Sequence, residues 1–274
     1  MTHLPFIKWD FGPEIFHLGF FSLRWYGLFF AIAFVAGYYI IKKMFVADRI
    51  PMKELDRLIW YMVVGTFFGA RLGHCLFYEP DYFLSRPLEI LLPFVPDAQG
   101  VYQFVGYQGL ASHGAACGIL LALFAYSRVH RRHYLWILDR IVIVVALSGF
   151  LIRIGNLMNS EIYGVETTLP WGFIFVNMNE SVPRHPTQIY EALSYLIIFG
   201  LLWRLYFKKQ TAEGVISGIF LVLLFSVRFL IEFIKNDQVG FEQDMRLNMG
   251  QLLSIPFILA GSFLCLRAKT NKIS

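Results

Sequence analysis

The fold class is decided by residues 213–234, which read EGVISGIFLVLLFSVRFLIEFI. A helix needs about 20 mostly apolar residues to cross the hydrocarbon core of a bilayer. This stretch has that length and carries no charged residue between Val215 and Val227. It therefore predicts a membrane-spanning helix.

Six further stretches of the chain have the same character. Together they make seven predicted spans, at 21–41, 58–78, 103–126, 137–157, 187–206, 213–234 and 249–266. The 274 residues are 57% hydrophobic and 16% charged, whereas soluble domains are roughly 45–50% apolar and about 25% charged. We therefore expect an all-α, polytopic bundle of about seven transmembrane helices, forming a single integral membrane domain over residues 1–274.

The lysines and arginines indicate the orientation, because basic connections stay on the cytoplasmic side. Fifteen of the 24 lie in or near the connections after the first, third and fifth spans and in the C-terminal tail, and six lie on the other side. This asymmetry predicts an N-terminus outside and a C-terminus in the cytoplasm. It also accounts for the net charge of +5, so no nucleic-acid partner is expected.

Two connections on the predicted outer side are long and rich in Pro, Asn and aromatic residues, at 79–102 and 158–186. They are expected to carry short folded pieces at the outer interface, so function is predicted to face outward. The three cysteines, Cys75, Cys117 and Cys265, all lie in apolar runs. Their number and spacing indicate neither a disulfide framework nor a metal site.

Three arginines, Arg71, Arg153 and Arg228, lie within or at the ends of predicted spans. An arginine at the centre of a span costs about 2.5–3.5 kcal/mol on insertion scales and usually meets a partner or a wet cavity. Arg153, Asn156 and Asn159 are three residues apart and share one helix face. A guanidinium flanked by amides suits a phosphate headgroup. A polar helix end that meets water is the simpler alternative.

Other candidate residues each have a functional and a structural interpretation. Arg228 and Glu232 are four residues apart and can neutralise each other on one helix face, as a bracing ion pair or with Arg228 on a lipid phosphate. His113 lies among small residues and is either a structural histidine or a proton acceptor, since imidazole titrates near about 6.5. Tyr26 lies at the outer end of the first span, where interfacial aromatic residues are common.

Several of these residues lie in stretches that resemble the prolipoprotein diacylglyceryl transferase family. Residues 153–164, RIGNLMNSEIYG, are similar to the family's Arg-x-Gly-Asn-x-x-Asn-x-Glu-x-x-Gly motif. Four other pieces resemble the family in the same order along the chain, at 24–27 (RWYG), 112–114 (SHG), 185–191 (HPTQIYE) and 228–232 (RFLIE). The resemblance covers essentially the whole chain.

The chain departs from the family's pattern at three positions. Ile152 replaces the glycine that usually precedes the motif's arginine, and Leu157 replaces a phenylalanine. Ala115 replaces the second glycine of a His-Gly-Gly run. All the polar side chains are kept. The changes at Ile152 and Ala115 affect only how closely backbone or lipid can approach.

The resemblance implies an enzyme of the bacterial cytoplasmic (inner) membrane with its active site toward the periplasmic face. Such an enzyme transfers the diacylglyceryl group of phosphatidylglycerol to the lipobox cysteine of a prolipoprotein and releases glycerol phosphate. The implied partners are phosphatidylglycerol, the prolipoprotein signal peptide with its lipobox, and the lipid bilayer. No metal and no cofactor are expected.

The resemblance also implies roles for individual residues. The expected catalytic residues are His113, Arg153, Arg228 and Tyr26, and the expected substrate-binding residues are Arg153, Asn156, Glu161, Gly164, Arg228 and Glu232. The two arginines are expected to bind phosphate and Tyr26 to orient the substrate. His113 is the expected base, although the sequence leaves open whether His113, Glu161 or a water molecule takes the proton.

Two other classes of protein would also place charges within a membrane. A transporter or channel predicts inverted repeats with broken helices in matching halves, and the sequence shows no internal repeat. An intramembrane protease predicts a His-Glu-x-x-His motif or a Gly-x-Ser-x-Gly motif. Neither motif occurs in the sequence.

Overall fold

The computed structural model describes residues 6–19, 21–92, 94–96, 102–104, 109, 111–208, 211–236 and 247–270. The chain divides into two compact units. The larger unit comprises Met1–Met44 and Leu138–Ser274, and the smaller unit comprises Phe45–Ile137. The prediction of a single membrane domain over 1–274 stays a prediction.

Helices dominate the described part of the chain. Nine α-helices occur there: α1 (Trp25–Ala47), α2 (Met52–Phe77), α3 (Pro80–Ser85), α4 (Leu88–Leu91), α5 (Ser112–Val129), α6 (Tyr134–Met158), α7 (Thr187–Lys208), α8 (Val215–Ile231) and α9 (Met249–Thr270). Six short strands accompany them: β1 (Ile7–Trp9), β2 (Glu14–Leu18), β3 (Phe21–Arg24), β4 (Phe94–Pro96), β5 (Tyr102–Phe104) and β6 (Phe173–Phe175). Two 3-10 turns lie at Val176–Met178 and Glu232–Ile234.

Five of the described helices are long and apolar enough to cross a membrane, namely α1, α6, α7, α8 and α9. The stretch His113–Val129 of α5 is apolar but shorter, and α2 carries five charged residues, Lys53, Glu54, Asp56, Arg57 and Arg71. The predicted all-α membrane bundle is confirmed. That α2 and α5 also cross the membrane, for a total of seven spans, stays a prediction.

Two predicted spans begin later in the structure than the sequence indicated. The first, placed at 21–41, starts with strand β3, and its helix begins at Trp25. The third, placed at 103–126, starts in the hairpin of β4 and β5, and its helix begins at Ser112. Both differences have one cause. Aromatic residues favour strands but also add to the apolar content by which a span is identified, so apolar content did not separate the two.

In the larger unit, α8 packs between two neighbours, α7 and α9. The α8–α9 contact is close because a Cβ atom on Gly218 would lie 2.8 Å from the Gly261 carbonyl oxygen. The N-terminus of α8 is held by α6, whose buried Asp139 accepts hydrogen bonds from the amides of Gly214 and Ser217. A carboxylate satisfies the free N–H groups of a helix start and suits its positive dipole end.

Short strands of the larger unit lie beside the ends of its helices. β1 pairs in parallel with β6, with Ile7 opposite Phe173, and β2 pairs antiparallel with β3. Leu157, Phe173 and Phe175 form a buried apolar cluster there. The Trp9 indole donates a hydrogen bond to the Leu157 carbonyl at 3.0 Å. This cluster supports the C-terminal end of α6, where Arg153 and Asn156 lie.

The smaller unit is built on the contact between α2 and α5. Glycines let these helices approach closely, since a Cβ atom on Gly73 would lie 2.6 Å from the Gly114 Cα atom. Arg71 of α2 is buried, and its guanidinium donates to the carbonyls of Glu89 at 2.7 Å and Ile90 at 3.1 Å. These hydrogen bonds tie α4 to α2, which gives Arg71 a structural role.

Candidate active site

The site of the larger unit begins at Arg153, near the C-terminal end of α6. Its Nη1 donates to the Asn156 amide oxygen, one helical turn further along, at 3.0 Å. The shared helix face predicted for these two residues is therefore present. The Arg153 side chain is only 14% exposed, so its charge is largely removed from solvent and needs a counter-charge.

The chain turns sharply after α6 and brings Glu161 back to the same helix end. Ser160 and Ile162 adopt left-handed backbone conformations, with φ of 54° and 61°. Such conformations cost non-glycine residues free energy, more so for the β-branched Ile162, and cluster at functional sites. The Asn156 amide donates to Glu161 Oε1 at 2.6 Å, and the Asn159 amide donates to the same oxygen at 3.4 Å. Arg153, Asn156 and Glu161 thus form one connected chain of polar groups.

Glu191 of α7 supplies the counter-charge for Arg153. Its side chain is fully buried, and its Oε2 lies 2.7 Å from Arg153 Nε. Its other carboxylate oxygen, Oε1, lies 3.1 Å from the ammonium of Lys235. A buried carboxylate with a cation on each oxygen has its desolvation cost offset by both partners. Glu191 therefore joins α6, α7 and the segment that follows α8.

Glu232 pairs with Lys235, at 3.4 Å, and not with Arg228 as the four-residue spacing predicted. The reason is the end of α8 at Ile231, after which Glu232 begins a 3-10 turn. The turn places Lys235, three residues further on, against the Glu232 carboxylate. Lys235 is one of the six basic residues that the sequence placed on the outer side, and its side chain is buried.

Arg228 and Arg153 both interact electrostatically with the phenol of Tyr195. This tyrosine of α7 is buried and interacts electrostatically with Glu191, Arg153 and Arg228. Among the residues that the structure describes, no carboxylate lies within ion-pair distance of Arg228. Arg228 therefore brings a second positive charge to Tyr195 beside that of the paired Arg153.

Two small-residue contacts complete the arrangement. A Cβ atom on Gly164 would collide with the Ile234 carbonyl oxygen and would lie 2.8 Å from Cβ of His185. Gly164 also forms an isolated β-bridge with Lys235. The Tyr26 ring packs on Gly155: a Cβ atom added to Gly155 would lie 3.0 Å from that ring. Glycine at 164 allows Lys235 its position, and glycine at 155 allows Tyr26 to approach the helix of Arg153.

The site also contains buried acceptors without donors. Among the described residues, the side-chain oxygens of Asn159 and Gln188 are buried and accept no hydrogen bond. The Gln188 amide nitrogen donates to the Glu161 carbonyl at 2.6 Å, which fixes the side chain. A buried acceptor left unpaired costs about 1–3 kcal/mol. A bound molecule with hydroxyl donors would remove that cost.

His185 lies just before α7 and next to this region. Its Nδ1 is 3.2 Å from the Tyr190 hydroxyl oxygen. Burial lowers the pKa of the His185 imidazole from its ordinary value of 6.5, because the charged form loses hydration. His185 is therefore neutral at pH 7.

His113 lies in the smaller unit, at the second residue of α5, and its side chain is exposed. Its predicted role as base stays a prediction. His74 of the same unit lies 3.5 Å from the Glu79 carboxylate, which gives it a partner that the sequence did not suggest.

The structure thus brings most of the predicted site residues into one cluster in the larger unit. They are Tyr26, Arg153, Asn156, Glu161, Gly164, Arg228 and Glu232. Glu191 and Lys235, which join the cluster, were not predicted as site residues. The sequence held one signal for Glu191, a carboxylate about one turn inside a predicted span. It held none for Lys235, whose burial depends on the 3-10 turn.

The fold and the site define a multi-pass membrane protein with a buried polar site near the ends of its helices, rich in donors for an oxyanion. The family model for prolipoprotein diacylglyceryl transferase matches residues 13–267. The chain belongs to this family, and it is a multi-pass protein of the inner membrane.

Relatives of the chain are similar over nearly their full length. A protein of Porphyromonas gingivalis is 46% identical, over 100% of this chain and 99% of its own. A protein of Chloroherpeton thalassium is 43% identical, over 96% of this chain and 95% of its own. One of Cupriavidus metallidurans is 36% identical, over 92% of each. Each is named phosphatidylglycerol--prolipoprotein diacylglyceryl transferase.

Proposed function

We propose that this chain transfers the diacylglyceryl group of phosphatidylglycerol to the lipobox cysteine thiol of a prolipoprotein. Family membership and the names of its full-length relatives support this activity. The observation that carries the site assignment is Arg153, held by Glu191 on one side and Asn156 on the other. Such an arrangement fixes a guanidinium within a membrane helix and leaves other N–H groups for an anion.

The reaction is a displacement at carbon. The cysteine thiolate attacks the terminal carbon of the diacylglyceryl group, a C–S bond forms, and the C–O bond to the phosphate breaks. The bond's electron pair leaves with glycerol phosphate, and the thiol proton goes to a base. A free thiol has a pKa near about 8.5, so only a few per cent is ionised at pH 7, and a base therefore assists.

Arg153 and Arg228 bind the phosphate in this proposal. Guanidinium groups match the geometry of phosphate oxygens and can donate two parallel hydrogen bonds. Negative charge on the leaving phosphate grows as the C–O bond breaks, so fixed cations lower the barrier. Glu191 keeps Arg153 in place by pairing with it, and Lys235 and Glu232 extend that chain of ion pairs.

The glycerol of the headgroup is recognised by acceptors. It carries two hydroxyl donors, and the unpaired oxygens of Asn159 and Gln188 suit them. Asn156, Glu161 and Gly164 shape this part of the site, since Glu161 orients both asparagine amides. Tyr26, packed on Gly155, orients the lipid. His113 is proposed as the base on chemical grounds, because neutral imidazole accepts a proton near pH 7.

We place the N-terminus and the site on the periplasmic side, and the C-terminus in the cytoplasm. The distribution of basic residues supports this orientation. It is tested with single cysteines introduced at Asn179 and at Glu213, both outside the helices. An impermeant thiol reagent added to intact cells is expected to label only the Asn179 position, and labelling of only the Glu213 position would reverse the orientation.

The activity is tested with the purified chain in vesicles of phosphatidylglycerol and a lipobox peptide. Release of glycerol phosphate and a matching mass increase of the peptide are expected. A peptide with Cys→Ser at the lipobox is the control and should remain unmodified. Release of glycerol phosphate without modification of the cysteine peptide would make the chain a lipid hydrolase instead.

A further inference from the structure

A positively charged groove lies in the larger unit, away from the candidate active site. Its cavity volume is about 410 Å³, and it is lined by Lys43, Trp203, Arg204, Phe207 and Lys208. Lys43 comes from α1 and the other four from α7. We propose that this groove binds the headgroup of an anionic phospholipid from the leaflet opposite the site.

The lining has the chemistry of an anion site. Three of its five residues are cations and none is a carboxylate. The Lys43 ammonium lies 5.3 Å from the centre of the Trp203 ring, an arrangement that holds a cation by its attraction to the ring face. Lys43 and Arg204 are exposed, so their charges remain available to a ligand.

The groove and the site lie at opposite ends of the same two helices. α1 carries Tyr26, its second residue, at the site and Lys43 near its other end. α7 carries Glu191 in its second turn and Lys208 at its last residue. Glu191 and Lys208 are about 25 Å apart along the axis at 1.5 Å per residue, close to the roughly 30 Å hydrocarbon thickness of a bilayer. The groove is therefore expected to lie at the level of the lipid headgroups in the leaflet opposite the site.

This position selects a lipid as the occupant. Tryptophan is enriched at the level of the headgroups, and basic pockets between membrane helices bind anionic headgroups at the cytoplasmic surface. Trp203 and Phe207 contact each other, with ring centres 4.7 Å apart. They offer apolar surface to the upper part of an acyl chain, while the three cations offer charge to the phosphate. A soluble anion would use only the cations.

The test uses Trp203 as a natural probe of the groove. The full chain is placed in phosphatidylcholine vesicles that contain brominated phosphatidylserine, an anionic lipid outside the proposed reaction, or brominated phosphatidylcholine. The fluorescence quenching of Trp203 is obtained by subtracting the quenching of the Trp203→Phe version of each protein from that of the protein itself. The triple variant Lys43→Gln, Arg204→Gln, Lys208→Gln removes the cations. The variant Lys53→Gln, Arg128→Gln, Arg131→Gln makes the same charge change at exposed residues of the smaller unit.

Brominated phosphatidylserine is expected to quench Trp203 at lower mole fractions than brominated phosphatidylcholine. Each cation near a headgroup contributes to anionic-lipid affinity, so the groove variant should require at least about tenfold more phosphatidylserine, and the control variant should behave as wild type. Equal quenching by the two lipids, or no effect of the groove variant, would overturn the proposal. If added inorganic phosphate abolished the preference for phosphatidylserine over phosphatidylcholine, the groove would be a site for small soluble anions, and the proposal would be wrong.

Discussion

Arg153 and Glu191 form a buried ion pair between α6 and α7, with 2.7 Å between Nε and Oε2. The pair is not isolated, because the second oxygen of Glu191 contacts Lys235 and Lys235 contacts Glu232. Two cations and two carboxylates therefore alternate along one chain of contacts. Removing any one member leaves an uncompensated charge in a largely buried cluster, which is costly.

Glu191 is a positioning residue in this account, and Glu191→Gln tests that role. The change keeps the size of the side chain but leaves Arg153 and Lys235 without their shared carboxylate. A misplaced guanidinium can cost up to about 10²-fold in rate, so kcat should fall by about 10–100-fold. Glu191→Asp should restore part of the loss, because it restores the charge.

The control for this variant is Glu166→Gln, which changes an exposed glutamate in the connection between α6 and α7. It should keep full activity. A positioning role requires that folded Glu191→Gln protein has a low kcat at saturating phosphatidylglycerol. If the folded fraction alone falls and the remaining protein turns over normally, Glu191 is merely a structural residue.

Arg153→Lys separates the shape of the cation from its charge. Lysine keeps the positive charge near Glu191 but cannot donate two parallel hydrogen bonds. Activity should fall by at least about tenfold, because lysine offers a point charge where arginine offers two parallel charge-assisted hydrogen bonds. Thermal stability should be nearly unchanged. Equal activity of the two forms would remove the argument from guanidinium geometry, and failure to fold would make Arg153 a structural residue.

His113→Gln tests the identity of the base. Glutamine keeps hydrogen bonding but does not accept a proton near neutral pH, so turnover should fall by about 10²–10⁴. Affinity for phosphatidylglycerol should remain close to wild type. Raising the pH toward about 8.5 ionises the thiol without assistance, so the defect should shrink. A loss of the same size at every pH would assign His113 to structure or lipid orientation, and Glu161 would be the next candidate.

His185 predicts a pH dependence of stability with a definite sign. Its pKa is lower in the folded protein than the ordinary value of 6.5, so below about 6.5 the unfolded chain binds more protons than the folded one. Stability should therefore fall as the pH is lowered from 7.5 through about 6.5 and below. The change is measured as Tm in detergent against pH. His185→Gln should reduce this dependence, whereas an unchanged slope would show that other groups cause it.

The sequence predicted the parts of the fold and site that depend on local patterns. Apolar runs located the long helices, since about 20 apolar residues are needed to cross a bilayer wherever they occur. Three-residue spacing placed Arg153 and Asn156 together, because a helix repeats every 3.6 residues. That shared face allows the hydrogen bond between them.

The remaining features depend on tertiary contacts or on local breaks in a pattern. Glu191 and Arg153 are on different helices, so no spacing relates them. The pairing of Glu232 with Lys235 depends on the end of α8 at Ile231, where a 3-10 turn begins. The ends of helices are harder to predict from sequence than their presence. The left-handed backbone at Ser160, which turns the chain just before Glu161, has no signal in the sequence. The left-handed backbone at Ile162, directly after Glu161, is rare for a β-branched residue.

The central claim is a displacement at carbon with phosphate as the leaving group, and an oxygen label tests it most directly. Phosphatidylglycerol is prepared with ¹⁸O in the oxygen that joins the diacylglyceryl carbon to phosphorus, and is supplied to the purified chain with a lipobox peptide. Mass spectrometry of both products is predicted to show all of the ¹⁸O in glycerol phosphate, and a thioether-linked diacylglyceryl group on the cysteine. Recovery of ¹⁸O in diacylglycerol, with an unmodified peptide, would contradict the account, because the P–O bond would then be the one that breaks.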